Sequence, residues 1–131
     1  MNSIVHFEIP INSPEEAKKF YSDTFGWNIE QWGDKDYWMA STTEVDEQTR
    51  MPKKPGMING GMMKRDGDFQ HPVLTISVDD IEATLTKIEA AGGKTIKGKD
   101  AVGDMGWTAY FEDTQGNMMG LWQNNAQSDN K

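Results

Sequence analysis

The pattern of apolar and polar residues near the start of the chain changes from a period of two to a helical period. Residues 3–10 alternate, and one face of this predicted strand is fully apolar: Val5, Phe7, Ile9. A helix is predicted next, because Ser13 can cap it, Pro14 suits its first turn and Glu16 completes a capping box. Gly26 is expected to end the helix.

Three further strands are predicted in this half of the chain, at residues 27–31, 37–41 and 57–64. The polar stretch 42–56 contains two prolines and is typical of a loop. Gly60-Gly61 weakens the last strand and indicates either a bulge or a close approach of another group.

The same order of elements then recurs. An alternating strand at 73–78 precedes a helix that begins after Asp79-Asp80 and stops at Gly92-Gly93. Three more strands follow, at 94–97, 107–112 and 117–123. The caps Ser13 and Asp80 lie 67 positions apart, as do Gly26 and Gly93. Two such copies, each too small to bury its own sheet, predict an α+β fold of two paired βαβββ modules.

The helices decide which face of each sheet is covered. Each helix has to cover the fully apolar set of its first strand, which in the second copy is Leu74, Ile76, Val78. The opposite faces then carry His6 and Glu8 in the first copy and Thr75 and Ser77 in the second. Polar residues there are either solvated or line a cavity.

Composition excludes several classes of function. Without cysteine the chain has no disulfides and no thiolate chemistry. A net charge of −8 disfavours nucleic acid as a partner. No apolar run predicts a membrane span or a secretory leader, so we expect a cytoplasmic protein. Nine methionines and five tryptophans suit an adaptable apolar cavity, although they are equally typical of ordinary core filling.

Two segments resemble a known superfamily. HFEIPINSPEEAKKFYSDTFGW and FEDTQGNMMGLWQ are similar to the vicinal-oxygen-chelate superfamily, and more closely to its lactoylglutathione-lyase-related subgroup. That superfamily contains glyoxalase I, extradiol dioxygenases and bleomycin-resistance proteins. The resemblance implies a single domain over 1–124, with modules at 3–66 and 71–124 and a polar tail at 125–131. It also implies a curled mixed sheet around a pocket and, as the expected partner, a second copy in a homodimer.

The resemblance also implies a metal site, which this chain has for the most part lost. Of the four ligand positions in metal-using relatives, the first falls on His6, a suitable ligand. The equivalent in the second module is Val73, and the last-strand ligand falls on Gly120. The remaining position falls within residues 60–63, none of which is a hard-metal ligand. We therefore expect no metal and no other cofactor, although His71 with His6 and Glu8 would be an alternative ligand set.

Six residues are the candidate contacts for a small-molecule ligand: His6, Glu8, Trp38, Thr75, Trp107, Trp122. His6 and Glu8 share a face and are also weak candidates for acid–base catalysis. Trp122 has the parity of Gly120, and the loss of a carboxylate there is expected to leave a flatter, drier wall. The tryptophans could equally fill the cavity or lie at a dimer interface.

Three functions remain open at this point. The first is binding of a small apolar or aromatic metabolite without a metal. The second is a metal-independent lyase, isomerase or epimerase that uses His6 or Glu8. The third is an accessory domain whose pocket is vestigial.

Overall fold

A computed structural model describes residues 1–49 and 51–125 and divides them into two compact units. The first module is His6–Pro72, and the second module combines Met1–Val5 with the chain from Val73 onward. Within the second module, the Asn2 side chain donates to the Ser77 carbonyl, and the Ser77 amide donates to the carbonyl of Ser3. The predicted polar tail at 125–131 lies, apart from its first residue, outside the described residues.

Each module is built from one helix and four strands. The elements of the first half are β1 (Ile4–Ile11), α1 (Pro14–Phe25), β2 (Asn28–Gln31), β3 (Tyr37–Ser41) and β4 (Gly60–Lys64). The second half contains β5 (Val73–Ser77), α2 (Ile81–Ala90), β6 (Lys94–Val102), β7 (Gly106–Glu112) and β8 (Met118–Asn124).

The two modules have the same topology. Strand order is β2-β3-β4-β1 in the first and β6-β7-β8-β5 in the second. In each, the first strand pairs in parallel with the last, while the other neighbours are antiparallel. The predicted α+β class and the repeated βαβββ unit are therefore confirmed.

The helix ends follow the predicted capping. The Ser13 hydroxyl accepts from the Glu16 amide at 3.3 Å, and Gly26 closes α1 with φ of 73°. Asp80 caps α2 by accepting from the Ala83 amide at 3.0 Å. These bonds satisfy amides that the first turn of a helix leaves without an intrahelical partner.

Each helix covers the predicted face of its sheet. Under α1 the buried core is Ile11, Ile29, Ala40, Met62, with Phe7 and Ile9 packed against it. Under α2 it is Val78, Ile81, Ala109, Phe111, Leu121, with Ile76 packed against it. The first residue of each predicted apolar set is an exception: Val5 is 39% exposed, and Leu74 is 45% exposed.

Two strands differ in length from their predictions. β4 begins at Gly60 rather than residue 57, and β6 continues to Val102 rather than ending at 97. The register of β6 shifts between Thr95 and Asp100, which explains why simple alternation did not reveal its full length. Within residues 1–49 and 51–125, no helix has the length and apolar character that crossing a bilayer requires.

Candidate functional site

Three polar side chains of the first module meet on the face of its sheet that α1 does not cover, here called the helix-free face. Tyr37 from β3 lies between His6 and Glu8 from β1. Its hydroxyl is 2.8 Å from Nε2 of His6 and donates to Oε2 of Glu8 at 2.9 Å. His6 Nε2 and Glu8 Oε2 are 4.0 Å apart, so the two groups are joined mainly through the tyrosine.

Gly61 makes this contact possible. β4 separates β3 from β1, so the ring of Tyr37 has to cross β4 to reach Glu8. It crosses at Gly61, which is in register with Glu8 on one side and Met39 on the other. A Cβ at Gly61 would lie 2.0 Å from the Tyr37 hydroxyl oxygen. Of the two alternatives expected at Gly60-Gly61, a bulge or a close approach, the structure has the second: Tyr37 lies over Gly61, and Phe7 packs against Gly60.

Burial is uneven across the three residues. The Glu8 side chain is 8% exposed, whereas that of His6 is 30% exposed. Desolvation lowers the pKa of His6 from 6.5 to about 4, because a half-buried imidazolium loses much of its hydration. His6 is therefore neutral at pH 7, and a ligand can reach its side chain, which like that of Tyr37 is only partly buried.

The second module has a related but simpler arrangement. Thr75 occupies the position 67 residues after Glu8, and it is in register with Gly120 as Glu8 is with Gly61. A Cβ at Gly120 would lie 2.7 Å from Thr75 Oγ1. Thr75 is buried, at 4% exposure. The Thr75 side chain therefore occupies the space that a side chain at position 120 would need.

The structure separates the three candidate tryptophans. Trp38 packs against the core under α1, and Trp107 packs against the core under α2 with Lys99 4.7 Å above its ring. Both lie on helix-covered faces, so the structure does not bring them to the side of His6 or Thr75. Trp122 lies on the opposite side of β8 from buried Leu121, and its ring covers Gly106.

The residues present do not fit the metal site of metal-using relatives. Gly120 has no side chain with which to coordinate an ion, and the position aligned with it in the first module, Gly61, is covered by Tyr37. Val73, the equivalent of His6, is a buried valine. His71 is exposed in the segment between β4 and β5. Across residues 1–49 and 51–125, no three His, Asp or Glu side chains are grouped closely enough to hold an ion.

Sequence reasoning missed Tyr37 and Met39. Both lie on the helix-free face, because they alternate with Trp38 and Ala40 in the core under α1. Met39 is 41% exposed and in register with Gly61, so it offers an apolar surface beside the trio. The sequence contained one indication of this arrangement, which was Gly61. Because glycine has no side chain, a neighbouring side chain can occupy the space beside it.

Curated relatives share moderate sequence identity with the chain. The glyoxylase-like protein CFP32 of Mycobacterium bovis is 30% identical over 115 residues, which cover 83% of this chain but 41% of that protein. The chain thus spans about two fifths of the length of this relative. A glyoxylase-like domain-containing protein of Didymella fabae is also 30% identical, with 84% of each chain covered.

Solved structures share the fold at low identity. A hypothetical protein from Bacillus halodurans matches with a TM-score of 0.64, 12% identity and 96% coverage of both chains. A Streptomyces coelicolor methylmalonyl-CoA epimerase variant in complex with 2-nitronate-propionyl-CoA matches with the same TM-score and coverage and 14% identity. The sequence model of one family matches residues 3–121. The chain belongs to the Glyoxalase/Bleomycin resistance protein/Dioxygenase superfamily.

Proposed function

We propose that this protein binds a small apolar or aromatic metabolite on the helix-free face of its first module, without a metal. The observation that carries the proposal is the trio of His6, Tyr37 and Glu8, which puts a neutral imidazole at the end of a hydrogen-bonded chain. Small-molecule sites combine apolar walls with a few fixed polar groups. Exposed Met39 supplies apolar surface beside Gly61, over which Tyr37 reaches Glu8.

Metal independence is supported by the chemistry of the family's ligand positions in this chain. A valine and two glycines cannot coordinate an ion, and the space beside each glycine is occupied by Tyr37 or Thr75. A single histidine with one carboxylate falls short of the three or four protein ligands that tight divalent sites use.

The proposal is tested by titrating toluene, phenol and indole into protein treated with EDTA, with methyl and aromatic NMR signals assigned. We expect the signals of His6, Tyr37 and Met39 to shift, and the affinities to be the same when zinc or nickel is added back. Shifts confined to the exposed aromatic residues of α1, such as Phe20 (57% exposed), would contradict the proposal. So would binding that requires the metal, or the absence of binding by all three probes.

An enzymatic role is the second candidate, and the link between His6 and the buried Glu8 favours it over a vestigial pocket. A neutral histidine backed by a carboxylate is a familiar acid–base pair in lyases, isomerases and epimerases. Hemithioacetal isomerisation is the reaction to assay first, with and without added metal. We expect no turnover in either case, because the family's metal ligands are missing.

The remaining expectations are proposals about the whole protein. We propose a cytoplasmic homodimer of the lactoylglutathione-lyase-related subgroup that does not bind nucleic acid. We also propose one domain over residues 1–124 with modules at 3–66 and 71–124. Sedimentation analysis would test the dimer, and a species with the mass of one 14.8 kDa chain would contradict it.

A further inference from the structure

We propose that Tyr37 sets the ligand specificity of the helix-free face by fixing the tautomer of His6, so that the site selects ligands that donate a hydrogen bond. This inference rests on the proposed function and names the chemical class of its ligand: a small apolar or aromatic molecule bearing a hydroxyl or N–H group. Tyr37 is in this sense a positioning residue, because it acts on the ligand through His6.

The order of protons along the trio follows from counting donors. A tyrosine hydroxyl has one proton, and here it is donated to Oε2 of Glu8 at 2.9 Å. With Glu8 in its ionised form, its carboxylate only accepts hydrogen bonds. The 2.8 Å contact with His6 therefore needs a proton on Nε2, which is donated to the tyrosine oxygen.

A neutral imidazole carries one ring proton, so a proton on Nε2 leaves Nδ1 with its lone pair. No residue in the described parts of the chain hydrogen-bonds Nδ1, and none of their buried side-chain polar atoms lacks a partner. Nδ1 is therefore in contact with solvent. The site consequently presents an acceptor at Nδ1, and a ligand has to bring the donor.

Glu8 and Gly61 hold the arrangement in place. Glu8 is buried at 8% side-chain exposure, which fixes the acceptor for the Tyr37 hydroxyl. Gly61 lets the ring lie against β4, because any Cβ there would overlap the hydroxyl oxygen. Three strands thus contribute to fixing the tautomer of His6. β1 supplies His6 and Glu8, β3 supplies Tyr37, and β4 supplies Gly61.

The first test is imidazole ¹⁵N NMR at pH 7. The chain has two histidines, so the H71Q variant leaves His6 as the single imidazole. We expect a proton on Nε2 alone, with a resonance that exchanges slowly because Tyr37 accepts it. In Y37F/H71Q that resonance is lost, whereas Y21F/H71Q keeps it, because Tyr21 stacks on Trp27 away from the trio. A proton on Nδ1 in H71Q, or a Y37F spectrum that is unchanged, would overturn the proposal.

The second test compares phenol with anisole, its methyl ether, which has nearly the same shape but no donor. A hydrogen bond of about 1 kcal/mol corresponds to a preference of about fivefold for phenol. We expect this preference in the native protein and in Y21F, and a smaller preference in Y37F, because the imidazole there is no longer held in the tautomer that keeps Nδ1 as the acceptor. If both probes bind equally well to the native protein, the specificity proposal fails while the proposed binding function stands. If neither binds, the binding function fails, and the NMR test still decides the tautomer.

Discussion

At the scale of single residues, His6 differs from an ordinary surface histidine in its environment rather than in its sequence context. Alternation along β1 predicted its face and that of Glu8. The depth of its burial was not predictable, because it depends on Tyr37 arriving from a strand that is not adjacent. Desolvation lowers the His6 pKa to about 4, and this has a measurable consequence for stability.

Acid should destabilise the protein through His6. The unfolded chain binds a proton at this residue near pH 6.5, and the folded chain does so only near pH 4. Stability is therefore full above pH 6.5 and is lost as pH falls toward 4. Between pH 7 and pH 5 the loss is about 2 kcal/mol, measured by urea unfolding at both values. H6Q should lack this part of the loss.

H71Q is the matched control for that experiment and should lose as much stability as the native protein. The lowered pKa values of Asp46 and Asp113 arise from backbone N–H groups that donate to their carboxylates. Both titrate below their usual 3.8, so they do not contribute in this window. An H6Q variant that loses as much stability as H71Q between pH 7 and 5 would show that His6 is not desolvated.

At the scale of elements, β4 shows what a sequence pattern can and cannot predict. Gly60-Gly61 indicated either a bulge or a close approach, and the structure has the close approach. The residue that approaches these glycines was not predictable, because the strand order β2-β3-β4-β1 decides which side chains flank β4.

The faces of β3 and β7 were also not predictable, because their sequences, YWMAS and GWTAYFE, have apolar residues on both faces. Alternation alone therefore could not assign Trp38 and Trp107 to the helix-covered faces.

The two glycines of β4 should respond differently to alanine. In G61A the new Cβ meets the far end of the Tyr37 side chain, which can swing away. In G60A it meets the Phe7 carbonyl oxygen at 2.5 Å, and backbone cannot move so freely. We expect G60A to cost about 1–3 kcal/mol in urea unfolding, as overpacking does, and G61A to cost less.

G61A should nevertheless abolish the slowly exchanging Nε2 proton of His6, because its acceptor has been displaced. G98A is the control for both variants, since a Cβ at Gly98 meets no atom within 4 Å. Retention of the Nε2 signal in G61A would mean that Tyr37 does not need the space over Gly61.

At the scale of the whole molecule, the repeat was the most predictable feature. The 67-residue offset was visible in the caps, and it holds for Glu8 and Thr75 in the strands. Capping and alternation are local properties, so they can be inferred from sequence. The filling of space around Gly61 and Gly120 is not local. It depends on side chains from paired strands. The sequence predicted a flat, dry wall at Gly120, and it did not predict that the Thr75 side chain would fill the space beside this glycine.

Restoring the family's carboxylate at one position should not restore a metal site. In G120E the new Cβ would lie 2.7 Å from Thr75 Oγ1, and Thr75 is buried at 4% exposure. We expect a loss of about 1–3 kcal/mol in urea unfolding from overpacking. Elemental analysis after dialysis against zinc or nickel should find no stoichiometric ion, and one full equivalent of either would contradict this. The reason is that the ligand positions have been replaced together: Tyr37 covers Gly61, Thr75 covers Gly120, and Val73 stands in the place equivalent to His6.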